Sequence, residues 1–284
     1  MSTKTHAASL ATHPISDSEG IVHSLRDEGY AIIPGAISQD LAAETCRRID
    51  ELEFLEGDDQ GNGVAVDHHK CVFNRDPFWL QFIDPPGLIE AVETLMGERC
   101  HIIGMSAWRT PPGVGDGKEG PIRVHTDQLF VPMDEELLIS GRVHLPVFIA
   151  TMHYYLVDIS EDLCPTWVIP GSHKSGRSPG RGTYKDGYDS SRDGDEQAWN
   201  GVPIRPVLCQ AGDGMLFRSE IWHAGSANRT PDRWRYLLQV HYAQRGVAQR
   251  FPPYLKFRHN PEVLAAANPR QRRMMGEHRI SAYG

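Results

Sequence analysis

The 284-residue sequence predicts a mainly β protein, a sheet sandwich or barrel flanked by N-terminal α-helices. Helix-periodic segments fill most of the first hundred residues, and after Cys100 the pattern changes to short apolar runs between Gly/Pro turns. The 27 Gly and 20 Pro suit such turns, and the 40% hydrophobic content is enough for a full core.

Residues 1–17 read as a flexible tail, and 18–284 as a single domain. From Ser18 to Gly29, Ile21, Val22 and Leu25 recur at helical spacing, and Gly29 is a natural stop. Tyr30–Ile33 is a short strand before Pro34-Gly35. A second helix is expected from Gln39 to Leu55, capped by Ser38, with Leu41, Ala42, Cys46, Ile49 and Leu52 as its buried stripe. A third covers Gly87 to Met96. The β segments that follow are His101–Thr110, Arg123–Phe130, Gly141–Val157, Thr166–Ile169, Gly214–Phe217 and Trp234–Ala243. Gly57–Gly63 and Ser175–Asn200 are too polar and Gly-rich for the core, and the longer one has the length of a lid loop.

The formal charge of −8, without a dense basic run, argues against nucleic acid as a partner. Cysteines 46, 71, 100, 164 and 209 are scattered and odd in number, with no CxxC pair, which suits a reducing compartment. No stretch approaches the ~20 apolar residues of a membrane span, and residues 1–17 lack a signal-peptide apolar core. The expected setting is soluble and cytoplasmic.

In Pro121-Ile-Arg-Val-His-Thr-Asp-Gln128, His125 and Asp127 are two apart, so on a strand both leave one face and can chelate one ion. A third ligand from a distant strand is available at His223, after Gly212-Asp-Gly-Met-Leu-Phe217. Two imidazoles and a carboxylate on one face of an octahedral ion leave three positions open, as non-haem Fe(II) oxygenases require. Histidines 68, 69, 101, 144, 153, 173 and 241 compete as ligands, and the ordinary reading of each is a surface or hydrogen-bonded core residue.

Read together, these segments resemble the phytanoyl-CoA dioxygenase family of Fe(II)/2-oxoglutarate oxygenases. The likeness lies in Leu25-Arg-Asp-Glu-Gly-Tyr-Ala-Ile-Ile-Pro-Gly-Ala-Ile-Ser38, the HxD of His125-Thr-Asp127, Thr166-Trp-Val-Ile-Pro-Gly-Ser-His173, and the block from Gly212 through His223-Ala-Gly-Ser-Ala-Asn228 to Arg235. The resemblance implies a double-stranded β-helix (a jelly roll, cupin-like), with Fe(II), 2-oxoglutarate and O2 as cofactor and cosubstrates. It also implies an arginine about twelve residues after the distal histidine for the far carboxylate of 2-oxoglutarate. Arg235 stands there, with Arg233 as competitor; strand parity does not separate them. A guanidinium fork suits that carboxylate. Thr166 falls where relatives place a hydroxyl touching the same carboxylate, although β-propensity also explains a threonine there.

Two departures stand out. Relatives often have Glu-Asn-Gly-Ala/Pro before the threonine, whereas this chain has Glu161-Asp-Leu-Cys-Pro165. Some have Gln two residues before the first histidine, where this chain has Arg123. By parity Arg123 shares the face of His125, so it can reach cosubstrate or an anionic substrate, or form an ordinary ion pair.

The resemblance implies oxidation, by default hydroxylation, of an unactivated C–H bond in a small metabolite, with release of succinate and CO2. Related halogenases replace the carboxylate by a small residue; Asp127 therefore speaks against halogenation. Desaturation, epoxidation and ring formation remain open, as do a non-catalytic jelly-roll metal-binding or sensor protein and a zinc hydrolase using the same three ligands. No nucleotide-binding stretch marks a CoA substrate, which favours a natural-product biosynthetic pathway. Candidate substrate-wall residues are Met105, Trp108, Phe130, Tyr155 and Trp222, any of which can be core instead.

Overall fold

The structure, a computed structural model, describes residues 10–61, 66–114, 120–128, 131–180, 196–251 and 257–278. The N-terminal part contains α1 (Ser18–Asp27), β1 (Tyr30–Ile33), α2 (Gln39–Asp50), β2 (Asp67–Lys70) and α3 (Leu88–Met96). Next come β3 (His101–Thr110), β4 (Pro121–His125), α4 (Glu135–Ile139), β5 (Ile149–Tyr155) and β6 (Thr166–Val168). Then follow the short β7 (Ala198–Trp199), β8 (Val202–Pro203) and β9 (Arg205–Val207). β10 (Gly214–Arg218), β11 (His223–Ser226), β12 (Arg235–Ala243), α5 (Pro261–Ala266) and α6 (Pro269–Met274) complete the order.

Six strands form an antiparallel sheet in the order β1-β10-β5-β12-β3-β2, and four form a second in the order β4-β11-β6-β9. Strands far apart in sequence are therefore neighbours, and the two sheets make the double-stranded β-helix. Alternation along the strands sorts the side chains by face. Ala31, Ala150, Met152, Tyr154, Leu216, Leu238 and Val240 pack outward with Ile21, Leu25, Leu88 and Val92 of the helices. Ile32, Tyr155, Met215, Phe217 and Leu237 turn inward and meet Val168 and Val207 of the smaller sheet.

α1 is capped by Asp17, which accepts from the Gly20 amide, and α2 by Ser38, which accepts from Leu41. α2 ends at Asp50, earlier than the expected Leu55, whose side chain is exposed and gives no apolar stripe to continue. The expected strand from Gly141 is β5 alone, with α4 before it. In the expected 1–17 tail, residues 10–17 lie against the sheet: the His13 N–H donates to the Ile32 carbonyl, the Ile32 N–H donates to the Ala11 carbonyl, and the His13 ring bonds Asp17 and Ser24. Residues 1–9 lie outside the described set. No described helix is long and apolar enough to cross a membrane.

Candidate active site

His125 closes β4 and His223 opens β11, paired directly across the smaller sheet. Asp127 lies beyond the end of β4, and its backbone N–H donates to the Ser219 carbonyl at 3.0 Å. A turn bond, not strand parity, thus sets its place. Asp127 Oδ1 is 3.4 Å from His223 Nε2 and 3.9 Å from His125 Nε2. Among the described residues, these three are the group of His, Cys, Asp or Glu side chains able to hold a metal ion.

Both histidines are oriented in the same manner. His125 Nδ1 donates to the Arg123 carbonyl at 2.8 Å and His223 Nδ1 to the Ile221 carbonyl at 3.0 Å. Each carbonyl two residues upstream takes the Nδ1 proton, so each Nε2 presents its lone pair inward. Burial by itself would raise the Asp127 carboxyl, but His223, then His241 and His125, hold it well below the usual carboxylate range. Burial pulls His223 down, and Asp127 outweighs it and draws it up. The carboxylate supplies the compensating charge that a divalent ion needs.

The turns around the site act as clamps on this geometry. Ser172 Oγ accepts the Trp222 amide at 2.8 Å, immediately before His223. His173 Nε2 donates to the Arg26 carbonyl at 3.0 Å, and Gly171 donates to Glu28. The Ile-Pro-Gly-Ser-His turn therefore ties β11 to the end of α1. Asp213 accepts from the Gly35 and Gln210 amides, which fastens the start of β10 beside β1. Cys164 takes the left-handed conformation, φ +49, in the turn before Thr166. Counted back from the threonine, this is the glycine place of the related stretch, and a left-handed φ is the conformation that glycine adopts most readily.

A second group of residues lies inside the barrel. Arg235 is buried, 7% exposed, and its Nε has no hydrogen-bond partner among the described residues. Arg233 is exposed and donates to the Asp158 carbonyl at 2.7 Å. The structure thus separates the two arginines that parity left equivalent. Thr166 is buried, and burial pushes the Tyr155 hydroxyl up in pKa, with Thr166 and Arg235 opposing the rise. Gln128 Oε1 and His153 Nδ1 are also buried and unpartnered. A cluster of unsatisfied groups is costly unless a polar ligand fills it. A buried guanidinium beside a His/Asp/His group fits an ion and a dicarboxylate.

Other expected positions move. Across the β4–β11 pair, His125 faces His223 and Ile122 faces Gly225, so three residues oppose two. This bulge has Arg123 at φ +52 with an exposed side chain, and the alternation that put Arg123 on the face of His125 does not hold through it. Met105 packs outward among the helices, because it has the parity of Ala107 rather than Trp108. Trp222 packs with Val124, Ile169, Trp199 and Ala224 away from the interior, its indole donating to the Arg177 carbonyl. Both therefore leave the substrate wall. Trp108 and Tyr155 stay on the inner face, and Phe130 lies outside the described residues. Of the 175–200 segment, residues 181–195 lie outside the described set. Its ends are pinned by an Arg177–Glu196 ion pair and a Thr126–Ser178 contact.

Sequence reasoning weighed His153 and His241 only as competing metal ligands, with an ordinary surface or hydrogen-bonded core role as the favoured reading, and did not single out Gln239. His241 Nδ1 bonds Thr151 at 3.0 Å, and burial pushes its pKa down to about 4. The odd-numbered run Arg235, Leu237, Gln239, His241 was the available signal, since the position of Arg235 assigns all four to one face.

The model of the phytanoyl-CoA dioxygenase family matches residues 25–236, most of the chain. The chain belongs to the phytanoyl-CoA dioxygenase family. This family uses Fe(II), 2-oxoglutarate and O2. Dioxygenase af480 of Aspergillus fumigatus is 20% identical over 236 residues, 77% of this chain and 64% of that protein. The chain thus spans less than two thirds of that relative's length. Among solved structures, the 2-oxoglutarate-dependent carbocyclase SnoK of nogalamycin biosynthesis is 18% identical, with a TM-score of 0.60 over 82% of this chain and 87% of its own. The epimerase SnoN of the same biosynthesis is 19% identical, TM-score 0.57, over 80% and 82%. HygX of Streptomyces hygroscopicus, with nickel and 2-oxoglutarate bound, is 13% identical, TM-score 0.55, over 81% and 88%. At these identities the likeness to these solved structures is one of fold.

Proposed function

We propose that this member of the family is an Fe(II)/2-oxoglutarate-dependent oxygenase that oxidises an unactivated C–H bond of a small metabolite, hydroxylation being the default outcome. The observation that carries the reading is a buried Arg235, its Nε without an acceptor among the described residues, inside the same barrel as the His125/Asp127/His223 group. Iron bound there, with 2-oxoglutarate and O2, supplies the oxidation of the C–H bond and the release of succinate and CO2. The chain itself holds the ion through two Nε2 atoms and one carboxylate. Arg235 takes the far carboxylate of the cosubstrate, with Thr166 and Tyr155 beside it. Phe217, Leu237 and Val168 keep that end dry, which strengthens the ion pair.

A non-catalytic metal-binding scaffold has no use for a buried arginine, and a zinc hydrolase leaves it equally unexplained. Epimerisation or ring closure is the second reading, because SnoN and SnoK share this fold and are an epimerase and a carbocyclase. A natural-product intermediate is the substrate class most in keeping with these neighbours.

The test adds Fe(II) and then 2-oxoglutarate to metal-free protein without oxygen and records the visible spectrum. A weak charge-transfer band is expected, absent in His223→Ala and much reduced in Arg235→Ala. No band, together with no 2-oxoglutarate binding by calorimetry, would end the oxygenase reading.

A further inference from the structure

His153 lies on β5 between Thr151 and Tyr155, on the inner face, and is 5% exposed. Its ring has a partner at one nitrogen only. The chain of bonds that reaches it begins at Trp108, whose indole Nε1 can only donate. Trp108 Nε1 donates to Gln239 Oε1 at 2.7 Å, and Ser106 Oγ donates to the same oxygen at 3.3 Å. The Gln239 amide is thereby oriented, and its Nε2 faces His153 Nε2 at 2.8 Å. An amide nitrogen donates, so His153 Nε2 must hold the lone pair and the ring proton must sit on Nδ1. That Nδ1 is buried and has no acceptor among the described residues.

The place of the ring says what the missing acceptor is. Of the charged groups around His153, Arg235 acts most strongly, followed by His223, His241 and Asp127. The Phe217 ring lies 4.8 Å from the His153 ring and 5.0 Å from that of His223, and the Tyr155 ring lies 6.1 Å from His153, so His153 is one ring removed from the His/Asp/His group on one side and borders Tyr155 on the other. Arg235 and Thr166 both act on the Tyr155 hydroxyl, which leaves His153, nearer to His223 through the shared Phe217 ring, as the uncommitted donor on that side.

We propose that His153 Nδ1–H donates a hydrogen bond to the metal-binding head of the 2-oxo acid, its 1-carboxylate and 2-oxo end, with the tautomer imposed by Trp108, Ser106 and Gln239. This assigns His153 as a cosubstrate-binding residue and Gln239 as a positioning residue, and it rests on the 2-oxoglutarate reading above. Arg235 reads the far carboxylate, so the two residues recognise opposite ends of one molecule.

Two 2-oxo acids separate those ends: 2-oxoglutarate has both carboxylates, and pyruvate has only the head. The experiment titrates each, without oxygen, into Fe(II)-loaded protein and its variants, reading the charge-transfer band and the heat of binding. His153→Leu is expected to weaken both ligands by a similar factor, about ten- to a hundredfold, as for loss of a hydrogen bond to a charged group. Arg235→Leu is expected to weaken 2-oxoglutarate and leave pyruvate nearly unchanged. His153→Asn, whose amide nitrogen can take the place of Nδ1, should recover most of the affinity. Gln239→Leu, which frees the tautomer, should give an intermediate loss while Fe(II) stoichiometry stays the same. Unchanged affinity in His153→Leu, or a loss confined to 2-oxoglutarate, overturns the proposal. A missing band in the unsubstituted protein overturns instead the reading of the site on which it rests.

Discussion

Arg235 shows how one residue's surroundings turn a motif into a chemical statement. Its strand neighbour Tyr236 and the nearby Arg233 have polar partners at the surface, whereas Arg235 is buried and its Nε has none. A guanidinium is effectively always charged, so burial cannot be relieved by losing the proton. The remaining solution is an anion of matching shape. Arg235→Lys keeps the charge but loses the planar fork, and is expected to weaken 2-oxoglutarate by about tenfold or more while Fe(II) affinity is unchanged. Calorimetry on the metal-loaded protein checks this, and equal affinity in the variant would place the carboxylate elsewhere. Beside it, His125 and His223 show a second economy at this scale. Each satisfies Nδ1 with the carbonyl two residues back, so the ligand orientation is carried within its own segment.

Among the elements, the turns bear the precision. β10 begins at Gly214, after a turn in which Gly212 has φ +95 and a Cβ there would lie 2.5 Å from the Ile37 carbonyl oxygen. An alanine would meet both the left-handed backbone penalty and that oxygen. Gly212→Ala is expected to destabilise the protein by about 1–3 kcal/mol, measured by urea unfolding. Full stability in the variant would show that the turn can reshape. The same element carries Asp213, which fastens β1, so the loss should reach the β1–β10 pair first. The β4 bulge is the counterpart on the smaller sheet, since it adds one residue opposite β11 and brings His125 level with His223.

The whole molecule buries several neutral histidines, and this ties its stability to pH. Burial pushes His68 down to about 4, with Lys70 adding to the effect and Asp59 opposing it. Burial holds His173 well below its ordinary value, with Arg218 acting in the same direction. The unfolded chain binds these protons as pH falls through about 6.5, whereas the native state does not until near 4 for His68. Stability should therefore rise with pH across that window and fall on acidification. The slope approaches about 1.4 kcal/mol per pH unit for each histidine that stays neutral. Urea midpoints at pH 7.5, 6 and 5 measure it; a flat profile for the unsubstituted protein would contradict the burial argument. His68→Gln should reduce the slope.

The sequence by itself determined α1, β1, α2, α3, β3, β6, β10 and β12 in their order, the ends of β1 and β3, the Ser38 cap of α2 and the identities brought together at His125, Asp127 and His223, but not β2, α4, β7, β8, β9, α5 or α6. These were readable because hydrophobic period, capping hydroxyls and turn residues are local signals, carried by a few consecutive positions. Only the tertiary structure decided the rest. Alternation says which residues share a face, but not which face is inner, so Met105 and Trp222 were placed wrongly by pattern alone. A single bulge residue resets the alternation, and that removed Arg123 from the face of His125. The fate of Arg233 and Arg235 depended on burial supplied by other strands. The tautomer of His153 depended on Gln239, 86 residues away along the chain, and on Trp108, 131 residues from Gln239. Such bonds form only when the sheet order brings distant strands side by side, and no local pattern records a partner that far away.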